Sequence, residues 1–174
     1  MTAVKSGLMM IDQHRADVRI LYERYMTQQN AKTIQTQKLL FPETIQLSAS
    51  DAVVFASMLQ TLSTLGFDLS DLGGNTYAVN GIPAGIEGMD PIQLLRCMVS
   101  DAIEKGRGVT EELNSTLALS LARSAAIPYG QILGNEEMEC LVNDLFACSN
   151  ANYTPDGKTI LCILPQSDIE HLLG

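Results

Sequence analysis

The chain of 174 residues is 46% hydrophobic and carries a formal net charge of −9. Its length suits one domain, or one domain in two lobes, and its apolar fraction suffices for a buried core. An acidic chain is a poor stand-alone DNA binder, because Lys and Arg supply most nucleic-acid affinity. The sequence has neither a long apolar run nor a visible secretory signal, so we expect no membrane span.

The four cysteines are widely spaced, at Cys97, Cys140, Cys148 and Cys162. They form no CxxC pair, which argues against a zinc ribbon or a redox motif. Three of them stand among apolar neighbours, a setting that predicts buried and reduced thiols. Reduced thiols predict a cytoplasmic protein.

The first residues predict a strand followed by a helix. Residues 2–11 indicate a short hairpin that turns at Gly7 and enters the strand "LMMI", which is apolar on both faces. Asp12 is placed to cap a helix that runs to about Gln29. The apolar stripe of this helix consists of Val18, Leu21, Tyr22 and Tyr25.

The segment "QKLLFPETIQLS" alternates in polarity and predicts a half-buried strand. Alternation places Phe41 and Ile45 on the buried face and Leu40 on the opposite, polar face. Pro42 cannot donate a ladder hydrogen bond, so the strand should lie at a sheet edge. The apolar Leu40 leaves two interpretations open, which are plain packing and an edge that binds a partner.

The middle of the chain predicts helices and one hairpin. Ser50 should cap a helix over residues 50–65, "GGN" should turn a hairpin, and Asp90 should cap the next helix. A loop over residues 107–114 is expected before a strongly apolar helix. Asn135 should cap the helix that follows.

The strand "TILCILP" near the end of the chain is apolar on both faces, like "LMMI" near its start. We expect these two strands to pair, with the middle of the chain inserted as a second lobe. The fold class predicted is therefore α/β, mixed α+β, in two lobes. One lobe would hold residues 1–36 and 112–174, and the smaller inserted lobe residues 37–111.

Few residues suggest enzymatic chemistry. His14 begins a helix, but a zinc-binding histidine usually needs a second ligand four residues on, and Val18 stands there. Asp17 shares the face of His14, where hydrogen bonds between the two or to backbone are the simpler interpretation. "PDGKT" fits a tight Asp-Gly turn better than a phosphate loop. A small-molecule α/β enzyme would need a deep polar pocket, for which the sequence gives no indication.

Three segments carry a family resemblance by their sequence and order: "GLMMIDQHRADVRILYERY", "QKLLFPETIQLS" and "LARSAAIPYGQILGNEEMECLVNDLFAC". In these segments the chain resembles the C-terminal dimerisation domain of the MutL family of DNA mismatch repair proteins. The resemblance continues through "NYTPDGKT" and covers nearly the whole chain. It implies a dimerisation lobe built from both chain ends and an inserted regulatory lobe.

The resemblance also implies the domain's partners. It implies a homodimer that links two N-terminal ATPase arms, which bind ATP and are absent from this chain, and that works with MutS. DNA would be contacted through the full-length protein and only weakly by this acidic domain. No cofactor is implied for the domain itself.

Many members of the family nick DNA through a metal site that begins with the motif DQHA-x2-E-x4-E. In this sequence Asp12, Gln13 and His14 match its first three positions. Arg15 replaces the alanine, and Val18 replaces the metal-binding glutamate. The first motif is therefore incomplete at a ligand position.

The later motifs of the family's metal site are also altered. Arg123 stands at the cysteine of the ACR motif, while Thr154 and Asp156 replace the cysteine and histidine of CPHGRP. His14, Glu23, which matches the last glutamate of the first motif, and Asp156 would form a degenerate remnant. The resemblance thus implies a domain that is not an enzyme, with a metal-dependent DNA-nicking endonuclease as the alternative.

The family carries a docking motif for the replicative sliding clamp where this chain has "QKLLFP". Gln37, Leu40, Phe41 and Pro42 match its pattern of a glutamine, an aliphatic–aromatic pair and a proline. The resemblance implies that Leu40 and Phe41 enter an apolar pocket of the clamp.

Overall fold

A computed structural model describes residues 2–4, 7–31, 34–105 and 110–174. The helices and strands of these residues follow the order β1 (Thr2–Val4), β2 (Gly7–Ile11), α1 (Gln13–Ala31), β3 (Thr36–Gln46), α2 (Ala49–Thr64), β4 (Asp68–Gly73), β5 (Thr76–Pro83), α3 (Pro91–Lys105), α4 (Thr110–Ala125), α5 (Asn135–Ala147), β6 (Leu161–Pro165) and α6 (Gln166–Leu173). The predicted mixed α/β class is confirmed. Within the described ranges, no helix is long and apolar enough to cross a membrane.

The chain divides into two compact units. The terminal unit comprises Met1–Glu23 and Ala126–Gly174, and the central unit comprises Arg24–Ala125. The functional roles of a dimerisation lobe and a regulatory lobe, with the boundaries given above, stay predictions.

The terminal unit contains a three-stranded antiparallel sheet in the order β1-β2-β6. Met9 pairs with Ile163 and Met10 with Cys162, so the predicted pairing of the two end strands is confirmed. One face of the sheet packs on a core formed by α1, α5 and the residue before β6. The buried residues of that core are Ala16, Ile20, Leu141, Leu145 and Ile160.

The central unit contains a second antiparallel sheet, in the order β3-β5-β4. Among the described strands β3 lies at an edge, as Pro42 predicts. Phe55 of α2 is fully buried and its ring lies 4.7 Å from that of Tyr77 on β5. Leu95 of α3 and Leu117 of α4 are likewise fully buried, so these helices share the core of the unit.

Two predicted helix caps are wrong by one or two residues. The N-cap of α2 is Ser48, whose Oγ accepts a backbone N–H of the first turn at 3.1 Å, and not Ser50. The N-cap of α5 is Gly134 and not Asn135. The cap predicted at Asp90 is confirmed, since its carboxylate accepts backbone N–H groups at 2.9 and 3.0 Å.

The predicted loop over residues 107–114 is wrong from Thr110 onward, because α4 begins there. Residues 107–109 lie outside the described part of the chain.

The predicted burial of three cysteines is wrong, since none of the four is buried. Cys97, Cys140 and Cys162 are exposed, Cys148 is half-buried, and all four are free thiols. Apolar neighbours in sequence do not bury a residue on a helix, because successive side chains point about 100° apart. Cys97 accordingly points outward although the adjacent Met98 is fully buried.

Candidate functional site

The region that carries the first family motif lies in the terminal unit, at the start of α1. Asp12 caps the helix, because its Oδ1 accepts the backbone N–H of Arg15 at 3.0 Å. The Arg15 guanidinium lies 3.3 Å from Oδ2 of Asp12 and donates from Nη1 to the carbonyl oxygen of Thr159 at 2.7 Å. Arg15 therefore fastens the start of α1 to the segment that precedes β6.

His14 and Asp17 both bind the backbone of Ile127. His14 Nδ1 donates to the Ile127 carbonyl oxygen at 2.8 Å, and Oδ2 of Asp17 accepts the Ile127 N–H at 2.8 Å. The His14 ring also lies against the ring of Tyr129, with centroids 4.1 Å apart. The interpretation of these two side chains as partners of backbone groups is confirmed.

Val18, at the position of the family's metal-binding glutamate, belongs to the packed interior. Its exposed fraction is 3%, and the flanking Ala16 and Ile20 on α1 are also buried. Val18 therefore contributes to the packing of α1 in this structure.

Glu23 has its carboxylate occupied by protein donors. It accepts the backbone N–H of Ser149 at 3.0 and 3.1 Å, the Ser149 hydroxyl at 2.6 Å and Nε of Arg19 at 2.8 Å. Burial alone would raise the pKa of Glu23, but the hydrogen bonds from Ser149 and the charge of Arg19 outweigh it and lower the pKa. Glu23 thus ties α1 to the residues that follow α5.

Replacing Glu23 by glutamine is expected to lower the free energy of unfolding at pH 7 by about 1–2 kcal/mol. Hydrogen bonds to charged groups contribute about 1.5–3 kcal/mol, and glutamine keeps one acceptor oxygen. Because folding lowers the pKa of Glu23, its stabilisation is complete above the unfolded-state pKa and disappears as the pH falls through the folded-state value. Urea unfolding of both proteins at a series of pH values should therefore show curves that converge in acid. Glu139→Gln on the exposed side of α5 is the control and should leave stability unchanged, whereas a Glu23 effect independent of pH would contradict the assignment.

Thr154 and Asp156, which replace two ligands of the family's last motif, form a tight turn. The Thr154 hydroxyl donates to Oδ1 of Asp156 at 2.7 Å and accepts the backbone N–H of Lys158 at 2.9 Å. Gly157 adopts a φ of 84°, which suits glycine at the turn. The predicted Asp-Gly turn is confirmed, and its polar side chains bind one another.

The remnant positions are not brought together into one cluster. His14 and Glu23 are nine residues apart on α1, which is about 13 Å along a helix at 1.5 Å per residue. Arg123 lies near the end of α4. Over the described residues, no group of three His, Cys, Asp or Glu side chains could hold a metal ion.

The predicted clamp-docking segment forms an irregular bulge on β3. Lys38 pairs with Gly81 and Glu43 with Val79, so residues 39–42 lie opposite a single residue of β5. The extra residues cannot all follow the pleat of the sheet, and the strand leaves the regular ladder at this point.

The bulge exposes two of the three large apolar side chains of the segment, and Leu39 is half-buried. Leu40 is 93% exposed and Phe41 83% exposed. The prediction that Phe41 lies on the buried face is wrong, because the bulge interrupts the alternation, which resumes at the fully buried Ile45. Pro42 was the one signal in the sequence of a break in the ladder.

The fold defines a mixed α/β domain in which strands from both chain ends share one sheet. A model of the MutL C-terminal dimerisation domain matches residues 2–133. The chain therefore belongs to the MutL C-terminal dimerisation domain family, which confirms the resemblance found in the sequence.

Curated relatives of the chain are DNA mismatch repair proteins. The chain is 54% identical over 172 residues to the DNA mismatch repair protein MutL of Bacteroides fragilis (strain YCH46), an alignment that covers 99% of this chain. It is 52% identical over 172 residues to the MutL of Phocaeicola vulgatus, again across 99% of the chain. The chain spans 28% of the length of each of these two relatives.

Proposed function

We propose that the domain joins two copies of a MutL-type mismatch repair protein through the outer face of the β1-β2-β6 sheet. Ile11 and Leu161 pack on the core, so the residues that alternate with them on β2 and β6 point to the opposite face. The outer-face residues of these two strands are Leu8, Met10, Cys162 and Leu164. Cys162 is exposed and the other three are half-buried within the described chain, and this incompletely covered apolar face is the observation that carries the proposal.

Helix α6 carries further exposed apolar side chains in the same unit. It lies beside β6 and β2, and its Leu172 and Leu173 are 75% and 85% exposed. A two-fold axis would bring the same patch of both protomers together, since isologous contacts are self-complementary. Sedimentation at several micromolar concentrations should give about twice the 18.9 kDa mass of one chain, and a mass of one chain throughout would refute the proposal.

The wider role that we propose concerns the whole protein, of which this chain would be one part. The dimer would link two N-terminal ATPase arms, so that their ATP-driven closure relays mismatch recognition from MutS. The rest of the protein would make the main DNA contacts, because the net charge of this domain is −9. Four free thiols are compatible with a cytoplasmic location.

A second proposed role, docking on the replicative sliding clamp, is supported by the bulge of β3. Leu40 and Phe41 are adjacent apolar side chains that the domain leaves almost completely in water. Gln37 is also exposed and precedes them on the same edge strand. An exposed apolar pair on an edge segment suits insertion into a partner's pocket.

We further propose that this domain does not cut DNA. Val18 packs in the interior, the Glu23 carboxylate is occupied by Ser149 and Arg19, and Thr154 serves a turn. Two-metal hydrolysis of a phosphodiester needs several ligands that hold cations about 4 Å apart. The positions that would supply them in the family support the local fold here.

Addition of Mn²⁺ or Zn²⁺ is therefore expected neither to raise the thermal stability of the domain nor to promote nicking of supercoiled plasmid. His14→Ala should have a free energy of unfolding lower by about 1–2 kcal/mol, because it loses a part-buried hydrogen bond to Ile127. Its response to metal should equal that of the unmodified protein. His171→Ala, on the exposed α6, is the matched control. Metal-dependent nicking that His14→Ala abolishes and His171→Ala retains would establish the endonuclease alternative.

A further inference from the structure

Helix α5 carries a second apolar stripe in addition to the one that enters the core. Leu141 and Leu145 are buried against α1, whereas Met138, Val142 and Phe146 follow one another at intervals of four on another side. Met138 is 42% exposed and Phe146 54% exposed, with Val142 half-buried between them. Residues four apart lie one above the other on a helix, so these three side chains form a ridge. We call it the α5 ridge.

A groove of about 700 Å³ runs beside the α5 ridge, within the terminal unit. Met9 and Ile11 of β2 form one wall, Met138 and Val142 form the other, and Leu133 lies at one end. Its volume falls in the range of established binding sites, roughly 300–1,000 Å³. Methionine side chains on both walls can adapt to the shape of an apolar partner.

Hydrogen bonds hold the end of the groove in place before any partner arrives. Gln13 Nε2 donates to the carbonyl oxygen of Gln131 at 2.6 Å, which fixes the loop that leads to Leu133. The backbone N–H of Gly134 donates to Oε2 of Glu137 at 2.7 Å, which fixes the start of α5. A preformed groove costs a partner less ordering free energy on binding.

The ionised side chains on the α5 side of the groove have one sign. Every ionised side chain of α5 is acidic: Glu136, Glu137, Glu139 and Asp144. Glu139 is itself a groove residue, and none of the lining residues in the described chain is Lys or Arg. Complementarity of potential therefore selects a positively charged partner.

We propose that the α5 ridge and its groove dock a basic amphipathic helix of another protein. Two bulky apolar side chains one turn apart on that helix enter the groove against Met138 and Val142. Its Lys and Arg side chains face Glu139 and the acidic start of α5. Ridges formed by residues four apart pack well between two helices. The groove and the face proposed for the homodimer are on opposite sides of the sheet, because Met9 and Met10 alternate on β2.

The test uses a Lys–Leu peptide with leucines at i, i+3, i+4 and i+7, and a scrambled peptide of equal composition that has no apolar face. The amphipathic peptide should saturably shift the methyl resonances of Met9 and Met138, and Val142→Arg should weaken binding by about tenfold or more, as for a central interface residue. Leu72→Arg, on an exposed leucine of β4, is the matched control and should bind normally. Met138→Ser with Phe146→Ser, at two half-exposed positions, should weaken binding if Val142→Arg fails to fold.

Three outcomes would overturn the proposal. Equal binding of the scrambled peptide would show a general attraction between opposite charges. Equal loss of affinity in Leu72→Arg would lead to the same conclusion. If Val142→Arg changes the number of chains per particle in solution, measured without any peptide, the α5 ridge joins copies of this chain.

Discussion

Replacing both Leu40 and Phe41 by alanine is expected to abolish binding of the domain to the replicative sliding clamp while leaving its stability almost unchanged. The two side chains are 93% and 83% exposed, so the folded domain gains little from them. Substitutions at such surface positions usually change stability by less than about 0.5 kcal/mol. Truncating an apolar anchor in a partner's pocket costs about 2 kcal/mol or more, and two anchors together should weaken binding several-hundredfold. Calorimetric titration with the clamp and urea unfolding measure the two effects separately.

Two control variants separate docking from packing at the β3 bulge. Ile45→Ala, on the same strand but fully buried, should lower the free energy of unfolding by about 2–5 kcal/mol. Leu72→Ala, which removes another exposed leucine of the central unit, should bind the clamp normally. If Leu40→Ala alone reduced stability as much as Ile45→Ala, the segment would be a packing element. If Leu72→Ala weakened clamp binding equally, the site would lie elsewhere.

The sequence predicts the parts of the fold that are governed by local rules, and in addition one pairing of distant strands. The Asp90 cap and the "GGN" hairpin follow from residues within a few positions of each other. The pairing of β2 with β6 followed from a property of both strands, since a strand that is apolar on both faces must be covered on both sides. The bulge at residues 39–42 escaped prediction because the register of β3 depends on β5, about forty residues away.

In the candidate site, roles set by nearby residues were likewise predictable, and contacts between residues far apart in the sequence were not. The packing role of Val18 was predictable, because its place in the apolar stripe of α1 is visible in the sequence. The bonds of Glu23 to Ser149 were not, because they join residues 126 positions apart. The anchoring of Arg15 to Thr159, across 144 positions, likewise depends on the sheet that brings both chain ends together. The α5 ridge depends on the structure, which shows which stripe of α5 faces the core.

Replacing Leu164 by arginine is expected to convert the dimer to a monomer without unfolding the chain. Leu164 pairs with Leu8 on the outer face of the sheet, where it is half-buried, so the monomer can keep the arginine head in water. In a two-fold dimer the substitution places two unpaired cations in one apolar contact, and each costs several kcal/mol to desolvate. The dissociation constant should rise at least about a thousandfold, which corresponds to roughly 4 kcal/mol. Sedimentation equilibrium at several concentrations measures it.

The matched control for Leu164→Arg is its neighbour Ile163, which points to the opposite face of β6. Ile163 is 47% exposed and pairs with Met9 of the α5 groove, so Ile163→Arg adds the same charge next to that groove. If the outer face joins the protomers, Ile163→Arg stays a dimer and binds the Lys–Leu peptide more weakly. Leu164→Arg should show the reverse, a monomer with normal peptide binding. Because adjacent residues of one strand point to opposite faces, the two variants assign each surface to its partner independently. If Leu164→Arg stays a dimer and Ile163→Arg becomes a monomer, the dimer contact lies on the face of Ile163 and not on the outer face.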